Sequence, residues 1–291
     1  MAGRWLEGIN SDLGINSLDV RCDSKKLCTA EESLVSVYSL QDYSVKAQVN
    51  LKTEILSVSW SPFKTNCIAA GCSMGCLFIV RKIRSEWKSA MRLNLHALDI
   101  SAVIWTQESL ITCSFDNFVK FSSVRVSEEE CVVEPKSQIK AHEGWVKGIC
   151  VSGDYLISQG SDFCTRVWYK QELVFVLEYL ESTESLNPTQ VPSCNGDWVC
   201  LSGTRSGVTG EGCATLVKLG TWQVVEVPLS VTKGILKRSG EEFVLVEVCV
   251  FVKDKLVTAG NSTVFVLDTK SLHLELVERL PCEVMFSVIV T

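Results

Sequence analysis

The sequence predicts an all-β protein, and two observations favour strands over helices. Short runs rich in Val, Ile and Phe recur along the chain, for example at Leu34–Leu40, Ile55–Trp60 and Val244–Val252. Residues of this kind in short, partly alternating runs are typical of β-strands. No segment repeats its apolar residues every 3.6 positions over three turns, which is the pattern of an amphipathic helix.

These strands recur in a repeated sequence pattern, called the phrase below. An apolar strand is followed by a second strand that ends in small residues, then by a tight turn and a third strand. The first strands are anchored at Ile15, Ile55, Ile100 and Val146, with spacings of 40, 45 and 46 residues. A repeat of about 40–45 residues with three or four strands is typical of a WD-repeat β-propeller. We therefore expect one domain over residues 1–291 with seven blades, of which six are clear or partial units and one is terminal.

Three segments interrupt the repeat, and the sequence predicts loop insertions near 127–140, 181–193 and 203–212. The first contains three consecutive glutamates at 128–130, and the second contains two of the six prolines. The third is rich in glycine, but it lacks G-K-[ST] and opens no helical pattern. A turn or loop between strands therefore fits it better than a phosphate-binding loop.

One unit, Ala141–Trp168, carries four polar side chains at the spacing of a blade hydrogen-bond network. An Asp accepts from a His, the His meets a Ser or Thr hydroxyl, and that hydroxyl reaches an indole N–H. Such groups need partners when they are buried. The four residues are His142, Ser158, Asp162 and Trp168. The preceding unit keeps three of the four, His96, Thr112 and Asp116, with Ser122 at the Trp position.

Composition narrows the classes of function. Apolar residues make up 46% of the chain and charged residues 21%, with mean hydropathy +0.20, which excludes a mainly disordered protein. A net charge of −6 and a pI near 5.3 argue against direct nucleic-acid binding, which needs an excess of Lys and Arg. We expect no membrane contact, because no apolar run approaches the roughly 20 residues of a spanning helix. Without a secretory signal pattern, we expect an intracellular protein.

Motifs that carry chemistry are scarce. The chain has 14 cysteines but no C-x-x-C pair and only three histidines, so reduced, packed thiols fit better than disulfides or zinc. No G-x-S-x-G, P-loop or H-E-x-x-H motif occurs. We therefore expect a non-enzymatic protein with no cofactor and no metal. The alternative, an enzyme on a propeller scaffold, would need a polar, metal-bearing channel.

Partner binding is the remaining class of function, because propellers expose loops on rigid sheets. Aromatic residues outside the strand pattern are the candidate contacts. They are Trp145, which precedes a strand, and Phe115 and Phe163, which flank turns.

The segment Ile139–Leu173 resembles one WD-repeat family, the HIRA histone chaperones of the HIR nucleosome-assembly complex. The matching residues are His142, Gly144, Val146, Lys147, Gly148, Ser158, Gln159, Asp162, Val167 and Trp168. The preceding unit is similar to a second family phrase through Cys113, Ser114, Asp116, Asn117 and Val119, and a later segment is similar through Gly220 and Trp222. The resemblance covers about residues 100–220.

The resemblance implies a nuclear scaffold subunit that supports replication-independent nucleosome assembly and the regulation of chromatin and histone genes. Its implied partners are ubinuclein-like subunits of an HIR-type complex and histones, bound directly or indirectly. HIRA proteins continue into a linker and a large C-terminal domain, and the sequence departs from them there, so a reduced family member is one interpretation. Two alternatives remain: the middle WD-repeat subunit of chromatin assembly factor, and a scaffold of a coat, pore or ubiquitin-ligase complex.

Overall fold

The chain is all-β. The computed structural model describes residues 15–23, 25–63, 66–127, 130–178, 192–204, 212–226, 248–252, 255–260, 263–268 and 274–279. These residues form six four-stranded antiparallel sheets, the repeated unit of a β-propeller, as the sequence predicts. The chain divides into two compact units between Gln138 and Ile139.

The first unit contains three sheets, in each of which strands that follow one another in the chain also pair. The first sheet is β1 (Ser17–Val20), β2 (Lys26–Glu31), β3 (Leu34–Ser39) and β4 (Val45–Asn50). The second is β5 (Ile55–Trp60), β6 (Cys67–Cys72), β7 (Cys76–Ile83) and β8 (Glu86–Asn94), with a 3₁₀ turn at Ser73–Gly75. The third is β9 (Ile100–Trp105), β10 (Leu110–Ser114), β11 (Phe118–Val126) and β12 (Cys131–Lys140).

The second unit has the same organisation. Its first sheet is β13 (Val146–Ser152), β14 (Tyr155–Gly160), β15 (Cys164–Tyr169) and β16 (Glu172–Glu178). The next is β17 (Ser193–Asn195), β18 (Trp198–Thr204), β19 (Gly212–Lys218) and β20 (Gln223–Glu226). The last is β21 (Val248–Val252), β22 (Lys255–Gly260), β23 (Thr263–Asp268) and β24 (Leu274–Arg279).

Burial changes from the middle of each sheet to its last strand. All six residues of β6 are buried, and so are five of the six residues of β2 and of β3. A strand that is covered on both faces needs a continuous run of small and apolar residues, which these strands have. The last strands β4, β8 and β16 are mainly exposed or half-buried. The fold therefore leaves the last strand of a sheet as its most solvent-facing part.

In the first unit, side chains of one first strand hydrogen-bond to the backbone of the next. Each contact satisfies a backbone N–H that the strand's own sheet leaves unpaired. Ser17 accepts from the N–H of Val58 at 3.2 Å, Asp19 from Trp60 at 2.7 Å, Ser57 from Val103 at 3.1 Å and Ser59 from Trp105 at 3.1 Å. The first-strand edge of a sheet is thus covered by its neighbour within the unit.

One prediction about loops is wrong. Residues 127–140 are not a loop insertion, because Cys131–Lys140 is strand β12, which pairs with β11. The N–H of Ser127, just after β11, donates to the carbonyl of Glu130 at 2.8 Å. The glutamates at 128–130 suggested a loop. Pro135 lies within β12, and a proline is tolerated in an edge strand, where no ladder partner needs its missing N–H. The other two predicted insertions, near 181–193 and 203–212, lie almost wholly outside the described residues. The same holds for the chain ends predicted to form a terminal blade.

Candidate functional site

The predicted four-residue network is present in the sheet β13–β16. Nδ1 of His142 donates to Oδ1 of Asp162 at 2.8 Å, and this bond leaves Nε2 as the acceptor. Nε2 lies 2.9 Å from the hydroxyl of Ser158, which donates to it. The same hydroxyl oxygen accepts from the indole Nε1 of Trp168 at 3.0 Å. All four predicted side chains are therefore joined in one chain of hydrogen bonds.

Asp162 is the charged end of this network and fixes the turn between β14 and β15. Its carboxylate accepts from the N–H of Glu143 at 3.0 Å and from the guanidinium of Arg166 at 2.6 Å. Burial works to raise the pKa of Asp162, but the hydrogen bonds from His142 and Arg166 outweigh it and hold that pKa well below its ordinary value. The carboxylate is thus ionised and ties two neighbouring loops together.

The third sheet, β9–β12, contains the predicted three-residue version. Nδ1 of His96 lies 2.9 Å from Oδ2 of Asp116, and Nε2 lies 2.8 Å from the hydroxyl of Thr112. Burial would raise the pKa of Asp116, but hydrogen bonds from His96 and from the N–H of Ala97 outweigh it and lower that pKa to about 2. The equivalent of Trp168 is Ser122, a buried side chain whose hydroxyl has no hydrogen-bond partner among the described residues.

A glycine makes room for the imidazole. Gly160 ends β14, and a Cβ atom there would lie 2.2 Å from Nδ1 of His142 and 2.6 Å from Oδ1 of Asp162. Both distances are far below van der Waals contact, so no larger residue fits beside this histidine. The second strand of this sheet therefore ends in glycine because the imidazole of His142 occupies the space of a side chain there.

The first sheet contains an equivalent hydrogen-bond network around Glu31, a residue that the sequence pattern does not single out. Glu31 occupies the position of Gly160, and its buried carboxylate takes the place of the imidazole. It accepts from the hydroxyl of Tyr38 at 3.0 Å and from that of Thr29. Burial, followed by the nearby Glu31 carboxylate, raises the pKa of Tyr38. The signal in the sequence was Tyr38, an aromatic donor at the Trp position that needs an acceptor.

The hydroxyl groups of these networks are buried and hydrogen-bonded within their own sheets. The hydroxyl of Ser158 belongs to a fully buried residue, so no substrate carbonyl reaches it. Thr112 is buried to the same extent. A nucleophile must contact its substrate, and the buried hydroxyls of Ser158 and Thr112 do not meet that requirement in this structure. In the part of the chain that the structure describes, no group of three His, Cys, Asp or Glu side chains could hold a metal ion.

Of the three aromatic candidates for partner binding, two are markedly exposed. Trp145 is 48% exposed, and its backbone N–H donates to the hydroxyl of Ser161 at 2.8 Å. Phe163 is 43% exposed and lies in the turn after Asp162. Phe115 is only half-buried, and its N–H is bonded to the carbonyl of Asp99 at 3.0 Å. Trp145 and Phe163 are thus the stronger candidates.

The turn between the second and third strands places bulky residues in the left-handed region. Glu32, Met74, Asn117 and Phe163 have φ of 49°, 57°, 77° and 58°. Asn tolerates this conformation, but an unbranched aliphatic or aromatic residue costs about 1–2 kcal/mol there. Met74 is the most exposed large apolar side chain of the described residues, and its turn is the counterpart of the one that holds Phe163. The turn therefore holds an exposed apolar side chain in a conformation that its residue type rarely adopts.

Comparisons with known proteins inform the fold alone. No protein-family model matches the chain, and the comparison with curated proteins gives no match. Among solved structures, the chain is similar to the computationally designed Ika8 protein, with a TM-score of 0.67 and 12% identity over 92% of this chain and 75% of the other. Identity at this level shows a shared architecture without shared function. In the described residues, no helix is long and apolar enough to cross a membrane.

Proposed function

We propose that this protein is a non-enzymatic scaffold subunit of a histone chaperone complex of the HIRA type. In this role it supports replication-independent nucleosome assembly in the nucleus. Its partners are ubinuclein-like subunits and histones, bound directly or through a subunit. The proposal rests on the resemblance over Ile139–Leu173, and the rest of the argument concerns what that segment presents to a partner.

The segment that carries the resemblance contains β13, β14 and β15 with the loop before them and the first two residues of β16. Within it, Trp145 and Phe163 are two half-exposed aromatic side chains near a rigid turn. The hydroxyl and the N–H of Ser161 bond to the N–H and the carbonyl of Trp145, both at 2.8 Å. Aromatic residues on a preorganised backbone lose little entropy when they are buried by a partner, and this favours a contact surface here.

The deciding experiment is affinity purification of the tagged full chain from its own cells at low and moderate salt, with mass spectrometry of the bound proteins. Core histones together with ubinuclein-like subunits are the expected result. Recovery of the replication-linked assembly subunits would favour the middle subunit of chromatin assembly factor. Coat, pore or ubiquitin-ligase subunits, or no chromatin protein at all, would overturn the proposal.

A variant pair tests the contact surface. Trp145→Ala with Phe163→Ala is expected to reduce recovery of the partners at least about tenfold, because truncating aromatic anchors removes about 2 kcal/mol or more of binding energy. Phe63→Ala is the matched control, since Phe63 is an equally exposed aromatic in the first unit. Equal recovery with both variants would place the contact surface elsewhere.

A further inference from the structure

The last strand of the sheet β13–β16 is an apolar edge strand among the described residues. Strand β16 pairs with β15 and ends the strand order of its sheet. Leu173, Val174 and Val176 are 48%, 41% and 38% exposed. Phe175 turns the other way and stacks on Trp222, with ring centroids 5.0 Å apart. Phe175 therefore anchors one face of the strand, while Leu173, Val174 and Val176 are exposed and no strand of the described residues pairs with its outer edge.

The apolar run in β16 is longer than that of any other last strand that the structure describes. Residues 173–177 are five consecutive apolar residues, whereas the other last strands have at most three in a row. Natural edge strands carry charges or proline that prevent pairing with another chain. In β4, β8, β12 and β24 the interrupting residues are Lys46, Lys88, Arg92, Glu134, Pro135, Lys136 and Glu275, whereas β20 has only two apolar residues, Val224 and Val225. Strand β16 lacks this protection in its centre.

A register shift in the ladder does not set β16 apart. The shift falls between Val167 and Trp168 and leaves Val174 outside the pairing. Equivalent shifts occur where β3 pairs with β4 and where β7 pairs with β8. The bulge is thus common to these sheets, and the five-residue apolar run without a central charge is particular to β16 among the described last strands.

The charges at the two ends of β16 decide which occupant fits. The strand reads Glu-Leu-Val-Phe-Val-Leu-Glu, the same in both directions. Antiparallel pairing with a second copy would place Glu172 of one chain opposite Glu178 of the other at both ends, and like charges directly opposite are destabilising. The cross-strand neighbours of these glutamates on β15 are Tyr169 and Cys164, which cannot neutralise them. A strand with a cation at each end would complement the edge.

We propose that β16 is a docking edge for an extended segment of another protein, in which a short run of β-branched apolar residues is bracketed by Lys or Arg. The segment adds a fifth strand to the sheet: its backbone bonds to the free edge, its apolar side chains cover Leu173 and Val176, and its cations pair with Glu172 and Glu178. This surface does not involve Trp145 or Phe163. The proposal stands whichever complex the protein belongs to.

The test uses the full chain and a fluorescein-labelled synthetic peptide, Lys-Lys-Val-Thr-Val-Thr-Val-Lys-Lys, titrated by fluorescence anisotropy. Saturable binding is expected, with protection of the amides of 172–178 in hydrogen exchange. Val176→Lys supplies the missing central charge and is expected to weaken binding at least about tenfold. The matched control is Val45→Lys, the same substitution at a 51% exposed position of the last strand β4, which should bind as the parent does.

A second variant keeps the test independent of folding defects. The double change Glu172→Lys and Glu178→Lys alters two exposed side chains only, and it should reject this peptide while accepting the one with Glu in place of Lys. The proposal would be overturned by absence of saturable binding, by equal losses in Val176→Lys and Val45→Lys, or by protection in another strand. It would also be overturned by a dimer that Val176→Lys dissociates in sedimentation, because the occupant would then be a second copy. None of these results depends on histones, so the proposed function fails or succeeds separately.

Discussion

Removing one buried hydroxyl tests how much the four-residue network contributes to stability. Ser158→Ala deletes the oxygen that accepts from Nε1 of Trp168 at 3.0 Å and donates to Nε2 of His142, 2.9 Å away. Both partners are buried and keep their polar atoms after the substitution. Within the network, Ser158 is the one hydrogen-bond partner of Nε1 of Trp168 and of Nε2 of His142.

The expected cost follows from two polar atoms left without partners. Each buried group that loses its hydrogen bond costs about 1–3 kcal/mol. Ser158→Ala should therefore lower the free energy of unfolding by about 2–6 kcal/mol. This is a large fraction of the roughly 5–15 kcal/mol that stabilises a typical domain.

The chain offers a matched control at Ser122. This serine occupies the Trp position of the third sheet, is equally buried, and its hydroxyl bonds to none of the described residues. Ser122→Ala removes an unsatisfied hydroxyl, so its free energy of unfolding should stay unchanged or rise by about 1 kcal/mol. Urea denaturation at pH 7, followed by circular dichroism and tryptophan fluorescence, compares the two variants. The reasoning would be refuted if Ser158→Ala cost no more than Ser122→Ala.

Three other outcomes follow from the same geometry. Gly160→Ala places a methyl group 2.2 Å from Nδ1 of His142 and should cost about 1–3 kcal/mol in urea denaturation, and an unchanged midpoint would contradict the packing argument. The pKa of Asp116 is lowered from 3.8 to about 2, so its carboxylate stabilises the fold above about pH 4, and this contribution is lost as the pH falls towards 2. In thermal denaturation from pH 6 to pH 2, Asp116→Asn should therefore show a smaller decrease of melting temperature towards low pH than the parent does. Burial raises the pKa of Asp19 to about 6, although its carboxylate accepts from the N–H groups of Trp60 and Val20. The contribution of this group to stability should therefore decrease as the pH rises from about 4 to 6. In the same thermal denaturation series, Asp19→Asn should remove this decrease.

Spacing along the chain was sufficient for the parts of the fold that depend on nearby residues. The apolar runs and their 40–46-residue spacing predict the repeated sheets, because each sheet is a meander of strands that are neighbours in sequence. The networks around His96 and His142 were predictable for the same reason, since each network lies within one unit. The resemblance to HIRA proteins stays a prediction, because only a partner measurement tests it.

Other features depend on contacts that no local pattern encodes. Glu31 reads in sequence as an ordinary surface acid, and only the packing of β2 against β3 buries it between Thr29 and Tyr38. The glutamate-rich stretch before β12 suggested a loop, and pairing with β11 makes the residues after it a strand.

The exposure of each strand could not be predicted from the sequence, because it depends on which strands lie on either side in the folded sheet. Most strands and the networks around His96 and His142 could be predicted from the sequence, since both follow from the period of the repeat, whereas β12 and the Glu31 network could not. The sequence could not distinguish the apolar run in β16 from that in β6, because both read as core. Only the assembled sheet places β6 between two neighbours and β16 at an edge, where the same apolar character becomes a surface for another chain.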